Sequence, residues 1–379
     1  MAATENRLED FYHYLETKKE KMIGYPANQD FDYSFLYEFF KFSINNIGDP
    51  LSDGPYQIKA HEFEKEVIEY IAQLTGVSGN NFWGYITNGG TEGNMYGLYV
   101  ARELYPESIV YFSKDAHYSI PKILKLLKMP YIAIKSNDKG EMCLGDLKQT
   151  LLINRTKTPI ILATLGTTMK GALDPLDEIK ELISDMSFLN HYIHVDAALS
   201  GMILPFLENA PKFGLSHGIH SFSISGHKMF GSPMPCGIVL ARKDYVDRIG
   251  QSIEYIGAID TTLSGSRNGH STLFLWYSIQ KYRNGGYKRI MASCIENAQY
   301  AVEKLKTLGI NAWRNPFSIT VLFDRPNPSL VSRWQLACQG EISHLITMPH
   351  VTKEQIDEFI EDYHRELVCS TGDGKVLLT

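Results

Sequence analysis

Short apolar segments alternate with amphipathic ones through roughly the first 270 residues of the chain. Apolar residues recur at helical spacing over 120–129 and 174–183, among other stretches. Six runs rich in β-branched and aromatic residues predict buried strands: 109–113, 131–135, 159–165, 192–195, 221–225 and 237–241. Strands that are apolar almost throughout and alternate with helices predict a mostly parallel sheet, covered by helices on both faces.

The pattern changes after about residue 270. A long helical stretch over 287–308 precedes strand-like runs at 318–323 and 343–348, and a final helix is predicted over about 352–368. This order predicts a smaller α+β domain. Near the other end, the turn-rich segment 49–55 closes a separate N-terminal portion. We therefore divide the chain into an N-terminal segment (1–55), a large domain (56–270) and a small C-terminal domain (271–379).

Composition and charge exclude several classes of protein. Of the 379 residues, 44% are hydrophobic and 21% charged, which is typical of a globular protein and not of a disordered, collagenous or coiled-coil chain. The formal charge of −6 and the scattered Lys and Arg residues argue against a dedicated nucleic-acid binder. No run of eighteen apolar residues and no apolar leader is visible, so we expect a cytoplasmic protein without a membrane partner.

Two further features argue against structural metal or disulfide chemistry. The five cysteines are far apart, without a CxxC pair, which speaks against a disulfide framework and a thiolate zinc site. His191, His194 and Asp196 have a spacing that could suit a metal. However, side chains alternate between the faces of a strand, so His191 would not share a face with the other two.

A glycine-rich turn over 87–94, Thr-Asn-Gly-Gly-Thr-Glu-Gly-Asn, follows an apolar run and opens a helical stretch. Backbone N–H groups at a helix N-terminus suit a phosphate, so Gly90 and Thr91 are candidate phosphate ligands. The turn matches neither the P-loop nor the dinucleotide-binding fingerprint. An ordinary tight turn in which Thr91 caps the helix is the alternative.

Chemically capable residues also follow the strands. Lys228 comes just after the 221–225 run and could form a Schiff base, although a surface lysine in a loop is the commoner fate. Asp196 ends another strand and could face a protonated ring nitrogen, or it could cap the next helix. His117 could stack on a flat ring or could be an ordinary loop histidine. Together with the hydroxyl groups over 164–168, these are the parts that a pyridoxal phosphate site requires.

In these motifs the chain resembles the pyridoxal-phosphate-dependent group II amino acid decarboxylases. The resemblance rests on six segments: 87–94, 117–119, 166–168, 194–205, 225–229 and 264–270. It is strongest to the bacterial histidine decarboxylases of that family, while the plant serine decarboxylases share much of the same motif set. It extends from about residue 23 to about residue 356.

The resemblance implies the α/β fold of type I pyridoxal-phosphate-dependent transferases: a large domain with a mainly parallel seven-stranded sheet and a small C-terminal α+β domain. It implies a homodimer or homotetramer in which the N-terminal segment packs on a partner subunit. The implied activity is that of a carboxy-lyase converting L-histidine to histamine and CO2 through a Lys228 Schiff base and a quinonoid. Decarboxylation of another amino acid such as L-serine, or a non-decarboxylating lyase reaction, remains an alternative.

The resemblance also implies individual roles. Asp196 would pair with the pyridinium nitrogen, Ala198 would lie under the ring, and His117 would stack over it and touch the substrate. Four residues would hold the phosphate: Gly90, Thr91, Ser225 and His227. Thr168 would lie near the phenolic oxygen of the ring or near the substrate.

Two roles extend beyond these motifs. Ser266 would reach a phosphate across the dimer interface. Tyr255 follows Lys228 by 27 residues and is the candidate proton donor, with a packing aromatic as the alternative. A desulfurase of the same fold would want a cysteine on a mobile loop, whereas Cys236 lies at the start of an apolar strand run. A catalytically silent relative would not need Lys228, Asp196 and His117 together.

Overall fold

Helices and strands alternate along the chain, as the apolar pattern predicts. The computed structural model describes residues 2–52, 54–77, 79–253 and 258–370. Helices α1 to α11 are Ala2–Lys19, His61–Leu74, Gly90–Leu104, Ser119–Leu126, Leu144–Ile153, Leu176–Asp185, Lys243–Val246, Gly269–Tyr282, Gly286–Thr307, Pro328–Arg333 and Lys353–Ser370. Strands β1 to β14 are Asn45–Ile47, Phe82–Thr87, Ser108–Ser113, Tyr131–Ile134, Thr158–Thr164, Tyr192–Asp196, Ser221–Ser225, Gly237–Arg242, Gln251–Ile253, Ala258–Asp260, Ser266–Asn268, Thr320–Asp324, Ala337–Gln339 and Ile342–Ile346. Short 3-10 helices span Ser34–Lys41, Ser200–Met202, Leu204–Phe206 and Leu215–His217.

The central sheet has seven strands in the order β2-β8-β7-β6-β5-β3-β4. Strands β3 to β7 pair in parallel, and β8 runs antiparallel to both β2 and β7. Every residue of β6 and β7 is buried, because helices cover both faces of the sheet. The predicted α/β fold with a mainly parallel seven-stranded sheet is confirmed.

The topology brings the ends of several strands to one edge of this sheet. Strands β5, β6 and β7 are parallel neighbours, so Thr164, Asp196 and Ser225 end side by side. Strand β2 points the same way as β7, because β8 lies between them and is antiparallel to each, and it ends at Thr87. The loops that follow these strands therefore meet in one place, which is where ligands bind in open α/β sheets.

A smaller antiparallel sheet, β12-β14-β13, follows the long helix α9, as predicted for the C-terminal part. His344 of β14 joins it to the rest of the chain, since its ring nitrogens lie 2.8 Å from the carbonyl oxygen of Met169 and 3.1 Å from that of Gly24. The division at residues 55 and 270 stays a prediction. Helix α8 runs across residue 270, and β1 of the N-terminal segment pairs with β11.

The N-terminal segment exposes many large apolar side chains. Along α1 and the 3-10 helix Ser34–Lys41 the most exposed are Leu8, Phe11, Tyr12, Tyr14, Leu15, Phe35, Tyr37 and Phe40. Clusters of exposed apolar side chains of this kind mark surfaces that contact other molecules. Within the described ranges, no helix combines the length and the apolar character needed to cross a membrane.

Candidate active site at the strand ends

A cleft opens at the edge where the strands end. Twelve residues line it: Gly90, Thr91, Asn94, His117, Thr164, Gly166, Thr168, Asp196, Ala198, Ser225, His227 and Lys228. Nine of these are the residues that the sequence motifs predict. Segments that lie far apart in the chain thus supply one site, and they do so because each follows a strand of the same sheet.

The glycine-rich turn forms one wall of the cleft. Helix α3 begins at Gly90, and its N-cap residue is Gly89, which has a φ of 147° and provides no side-chain cap. The alternative in which Thr91 caps this helix is therefore wrong. A Cβ at Gly90 would lie 2.8 Å from Ser225 Oγ, so only glycine leaves this corner open. Gly90 and Thr91, the first two residues of α3, line the cleft, and unsatisfied N–H groups at a helix N-terminus favour an anion there.

Glu92 fixes the conformation of the glycine-rich turn through hydrogen bonds. Its Oε2 accepts hydrogen bonds from the backbone N–H and the side-chain amide of Asn88, at 2.9 and 2.7 Å. Its Oε1 accepts from the Tyr85 hydroxyl at 2.9 Å and the Ser264 hydroxyl at 3.1 Å. Glu92 is 8% exposed, so these bonds fix the turn before any ligand arrives.

Asp196 lies at the bottom of the cleft. Its Oδ2 accepts a hydrogen bond from the side-chain amide of Asn94 at 2.8 Å, and its Oδ1 accepts from the backbone N–H of Ala198 at 3.1 Å. Both oxygens of the carboxylate thus accept a hydrogen bond from the protein. The second bond closes a local turn after β6. The 3-10 helix that follows has Leu199 as its N-cap residue and no side-chain cap, so the alternative in which Asp196 caps it is wrong.

Lys228 extends into the same cleft and is mostly buried. Burial lowers the pKa of its ammonium group, and the nearby Asp196 carboxylate opposes this effect. The alternative of an ordinary surface lysine is wrong. A lysine with a lowered pKa has a larger fraction of uncharged amine, which is the form that attacks a carbonyl carbon.

Two histidines flank the cleft and favour their neutral forms. His117 is half-buried, and its Nδ1 lies 2.8 Å from Ser119 Oγ. Burial lowers the pKa of His117, with the charge of Asp196 opposing the shift and that of Lys228 adding to it. His227 Nδ1 lies 3.0 Å from the carbonyl oxygen of Cys236, and burial lowers the pKa of His227 as well.

Three cleft residues had no individual role assigned from the sequence, namely Asn94, Thr164 and Gly166, although Thr164 is one of the hydroxyl residues noted over 164–168. Asn94 is four residues beyond Gly90, one helical turn along the same face of α3, and that spacing is the signal that could have identified it. Gly166 has a φ of 99°, and a Cβ there would overlap Ser200 Oγ. Thr164 ends β5, and its position at the end of a strand was the available signal.

The remaining two predicted residues are not among those that line the cleft. Ser266 lies on β11, exposed to solvent, where the Asn45 amide donates to its hydroxyl at 3.1 Å. A role that needs a second subunit is not tested by one chain, so it stays a prediction. Tyr255 lies outside the described residues.

The structure also bears on the metal and cysteine alternatives. Across residues 2–52, 54–77, 79–253 and 258–370, no three His, Cys, Asp or Glu side chains are grouped to hold a metal ion. Cys236 is 1% exposed, and burial raises the pKa of its thiol to about 12. A buried, protonated thiol is a poor nucleophile, so Cys236 does not fit a desulfurase.

The cleft residues fit pyridoxal phosphate by their own chemistry. Gly90 leaves room for an anion at a helix N-terminus. Lys228 offers an amine, and Asp196 offers a carboxylate for a cationic ring nitrogen. Thr164 Oγ1 is buried in the wall of the cleft with no hydrogen-bond partner, so a polar ligand atom would satisfy it.

Comparison with known proteins adds an independent line of evidence. A family model described as the pyridoxal-dependent decarboxylase conserved domain matches residues 16–312. A histidine decarboxylase from Acinetobacter baumannii (strain ACICU) is 47% identical over 363 residues, which cover 95% of each chain. A histidine decarboxylase from Morganella morganii is 45% identical over 94% of this chain and 96% of the relative.

Solved structures share the fold. The L-methionine decarboxylase from Streptomyces sp. 590 superposes with a TM-score of 0.89 at 24% identity, over 96% of this chain and 95% of that one. The glutamate decarboxylase from Lactobacillus brevis CGMCC 1306 gives a TM-score of 0.82 at 16% identity, over 98% and 93% of the two chains. These likenesses concern the fold.

Proposed function

The chain belongs to the pyridoxal-dependent decarboxylase family, and from that premise we propose that it converts L-histidine to histamine and CO2. Pyridoxal phosphate is its cofactor. The observation that supports histidine as the substrate is the near-full-length identity to histidine decarboxylases. The cleft supports the reaction type, because it combines a lysine of lowered pKa with an aspartate that has two hydrogen-bond donors.

We infer that Lys228 and Asp196 act on opposite ends of the cofactor. When bound, pyridoxal phosphate supplies a reactive aldehyde and a ring that accepts the electron pair released with CO2. The Lys228 amine would be the group that holds the aldehyde carbon of the bound cofactor, because burial favours its uncharged, nucleophilic form. The Asp196 carboxylate holds a proton on the ring nitrogen, because an opposite charge at close range favours the protonated nitrogen.

The other cleft residues position the bound molecules. His117 offers a flat, neutral imidazole to the ring face and to the substrate, with its Nδ1 fixed by Ser119. Gly90, Thr91, Ser225 and His227 line the cleft together and would hold the phosphate of the bound cofactor, with the N–H groups at Gly90 and Thr91 as donors. Ala198 and Thr168 also line the cleft; Ala198 would lie beneath the ring, and Thr168 would lie beside the ring or the substrate. Tyr255 as proton donor is a proposal from the sequence alone.

We also propose that the protein assembles as a homodimer or homotetramer through its N-terminal segment. The exposed aromatic side chains of α1 and of Ser34–Lys41 support this proposal, since a second copy would remove them from water. In such an assembly Ser266 would serve the partner's site. A cytoplasmic location and the absence of membrane or nucleic-acid partners remain predictions from the sequence.

Amine release from a panel of amino acids tests the proposed function. The protein is loaded with pyridoxal phosphate, and kcat/KM is compared for L-histidine, L-serine, L-methionine and the aromatic amino acids. We expect histamine from histidine, with the other substrates slower by about 100-fold or more, as for a site that hydrogen-bonds its substrate. Faster amine release from L-serine than from L-histidine would show that serine is the preferred substrate. No amine release from any amino acid would contradict the proposal.

Lys228→Ala provides the matching test of the site. Borohydride reduction of the loaded wild type is expected to fix the cofactor mass on the peptide that contains Lys228. The Lys228→Ala variant should lose both this label and amine release. Lys243→Ala, a change at an exposed lysine paired with Asp247, is the control and should keep both. A label on another lysine would overturn the assignment of Lys228.

A further inference from the structure

The Asp196 carboxylate is the last member of a chain of hydrogen bonds between side chains that are buried beneath the cleft. The Tyr192 hydroxyl lies 2.8 Å from Ser221 Oγ, which lies 2.7 Å from His194 Nδ1. On its other side His194 Nε2 lies 3.0 Å from Asn94 Oδ1, and the amide nitrogen of Asn94 lies 2.8 Å from Asp196. All five residues are at most 3% exposed, so water does not compete for these bonds.

The bonding capacity of each group gives this chain a direction. A charged Asp196 only accepts, so Asn94 must turn its NH2 group toward it and its oxygen away. That oxygen then accepts from Ser223 Oγ and from His194 Nε2, which must carry the ring proton. His194 Nδ1 is left as an acceptor for the Ser221 hydroxyl, and Ser221 in turn accepts from Tyr192.

Reversing one bond has consequences for the others. If His194 carried its proton on Nδ1, its bare Nε2 would face Asn94 and would require the NH2 group there. The Asn94 oxygen would then face Asp196, and two acceptors would meet unless the carboxyl group were protonated. The tautomer of His194, the orientation of Asn94 and the charge of Asp196 are therefore coupled.

We propose that Asn94 and His194 are positioning residues that keep the Asp196 carboxylate charged and directed into the cleft. This inference rests on the proposed function, because it concerns the group that holds the ring proton of the cofactor. In this series of hydrogen bonds, the group directly behind Asp196 is the neutral amide of Asn94 and not a second charged group. Neither residue needs to touch the substrate.

Two further observations agree with this arrangement. Burial lowers the pKa of His194 to about 3, so its ring is neutral and has one proton to place. Helix α3 approaches the sheet closely only because residue 97 is glycine. A Cβ at Gly97 would lie 2.8 Å from Ser221 Oγ and would overlap the His194 ring.

The tautomer of His194 in the cofactor-free protein is the first test. Nitrogen-15 NMR of histidine-labelled protein distinguishes a protonated from a bare ring nitrogen, and the His194 signal is assigned by its loss in His194→Gln. We expect a neutral ring protonated at Nε2 from pH 6 to pH 8. A ring protonated at Nδ1, or at both nitrogens, would overturn the proposal. This measurement needs neither cofactor nor substrate.

Variants supply the second test, read as the dissociation constant of pyridoxal phosphate and as the pH profile of kcat. Asn94→Asp keeps the shape but removes the donor to Asp196. His194→Leu removes the Nε2 proton. Each variant is expected to weaken cofactor binding by about 10-fold or more, which is the scale for losing a hydrogen-bond partner that orients a ligating side chain. Each is also expected to shift the pH profile of kcat. His194→Gln, which can donate from the same place, should recover most of the loss.

His220→Leu is the matched control, since His220 is also buried and neutral but lies outside the chain of hydrogen bonds to Asp196. It is expected to lower the melting temperature as His194→Leu does, with the cofactor dissociation constant changed less than about 3-fold. Equal effects of the two variants on cofactor binding would overturn the proposal. A wild type that binds cofactor with the expected tautomer but decarboxylates nothing would contradict the proposed function alone.

Discussion

Asp174 binds the backbone of Thr164 directly behind the cleft. Its Oδ2 accepts the Thr164 N–H at 2.7 Å, and its Oδ1 accepts the N–H of Met142 at the same distance. Asp174 is 2% exposed. Burial raises the pKa of its carboxyl group to about 7, although the two backbone hydrogen bonds oppose this shift.

This carboxyl group is expected to make stability depend on pH. Its pKa is near 3.8 in the unfolded chain and about 7 in the folded one, so the folded state binds more protons between these values. The contribution of Asp174 to the free energy of unfolding is therefore fully present below about pH 4 and is lost as the pH rises through about 7. Asp174→Asn should remove up to about 4 kcal/mol of this pH dependence. Urea unfolding between pH 4.5 and 8 measures it, with the exposed Asp177→Asn as control. An unchanged pH dependence in Asp174→Asn would contradict the assignment.

The strands of the central sheet and most cleft residues could be predicted because their signals are local. A buried parallel strand is a short apolar run, and the residue after it lies at the functional edge. Asp196 and Ser225 are the last residues of such strands, and Lys228 follows Ser225 by three residues. The mixed orientation of β8 has no such signal, since an antiparallel strand buried on both faces has the same composition as a parallel one.

The partners of these residues could not be predicted, because they depend on contacts between distant segments. Asn94 and Asp196 are 102 residues apart, and only the assembled sheet brings them together. Strands β1 and β11 have three residues each and no alternation long enough to detect. The predicted role of Ser266 at a phosphate depends on a second subunit.

The buried ion pair of Glu64 and Arg267 is predicted to be essential for stability. Glu64 also accepts from the Asn46 amide and the Ile86 N–H, each at 2.7 Å, and Arg267 donates to the carbonyl oxygen of Gly48 at 2.8 Å. Glu64→Gln would leave the arginine charge buried without its counter-charge. We expect a loss of about 3 to 5 kcal/mol in the free energy of unfolding, measured by urea denaturation.

An exposed pair gives the comparison. Lys243 and Asp247 are four residues apart, and Lys243 Nζ lies 2.5 Å from Asp247 Oδ1. Their side chains are 42% and 54% exposed. Solvent screens this pair, so Asp247→Asn should cost less than about 1 kcal/mol. Equal losses in the two variants would show that Glu64 stabilises the protein through something other than its buried charge.

Gly97→Ala tests how tightly α3 is held against the sheet. Alanine normally stabilises a helix relative to glycine by about 1 kcal/mol, but here its methyl group would overlap the His194 ring. We expect a net loss of about 1 to 3 kcal/mol in thermal or urea unfolding. Gly145→Ala in α5 is the control, because its nearest neighbour would be Cys143 Sγ at 4.0 Å, and it should be neutral or stabilising. A Gly97→Ala variant as stable as Gly145→Ala would contradict the close contact.

His227 is predicted to take up a proton when a phosphate binds beside it. Its Nδ1 donates to the Cys236 carbonyl oxygen, and burial lowers its pKa, so the free protein holds a neutral ring with a bare Nε2. A phosphate dianion accepts hydrogen bonds and favours the charged ring, so phosphate binding should raise the pKa of His227 and be accompanied by proton uptake.

Calorimetric titration with pyridoxine 5′-phosphate, which lacks the aldehyde, measures this uptake when it is repeated in buffers of different ionisation enthalpy. His227→Asn is the sharpest comparison, because its amide can still donate to the Cys236 carbonyl oxygen but has no second nitrogen to protonate. We expect the uptake to disappear in this variant. The same uptake in both proteins would place the titrating group elsewhere and would remove His227 from the phosphate site.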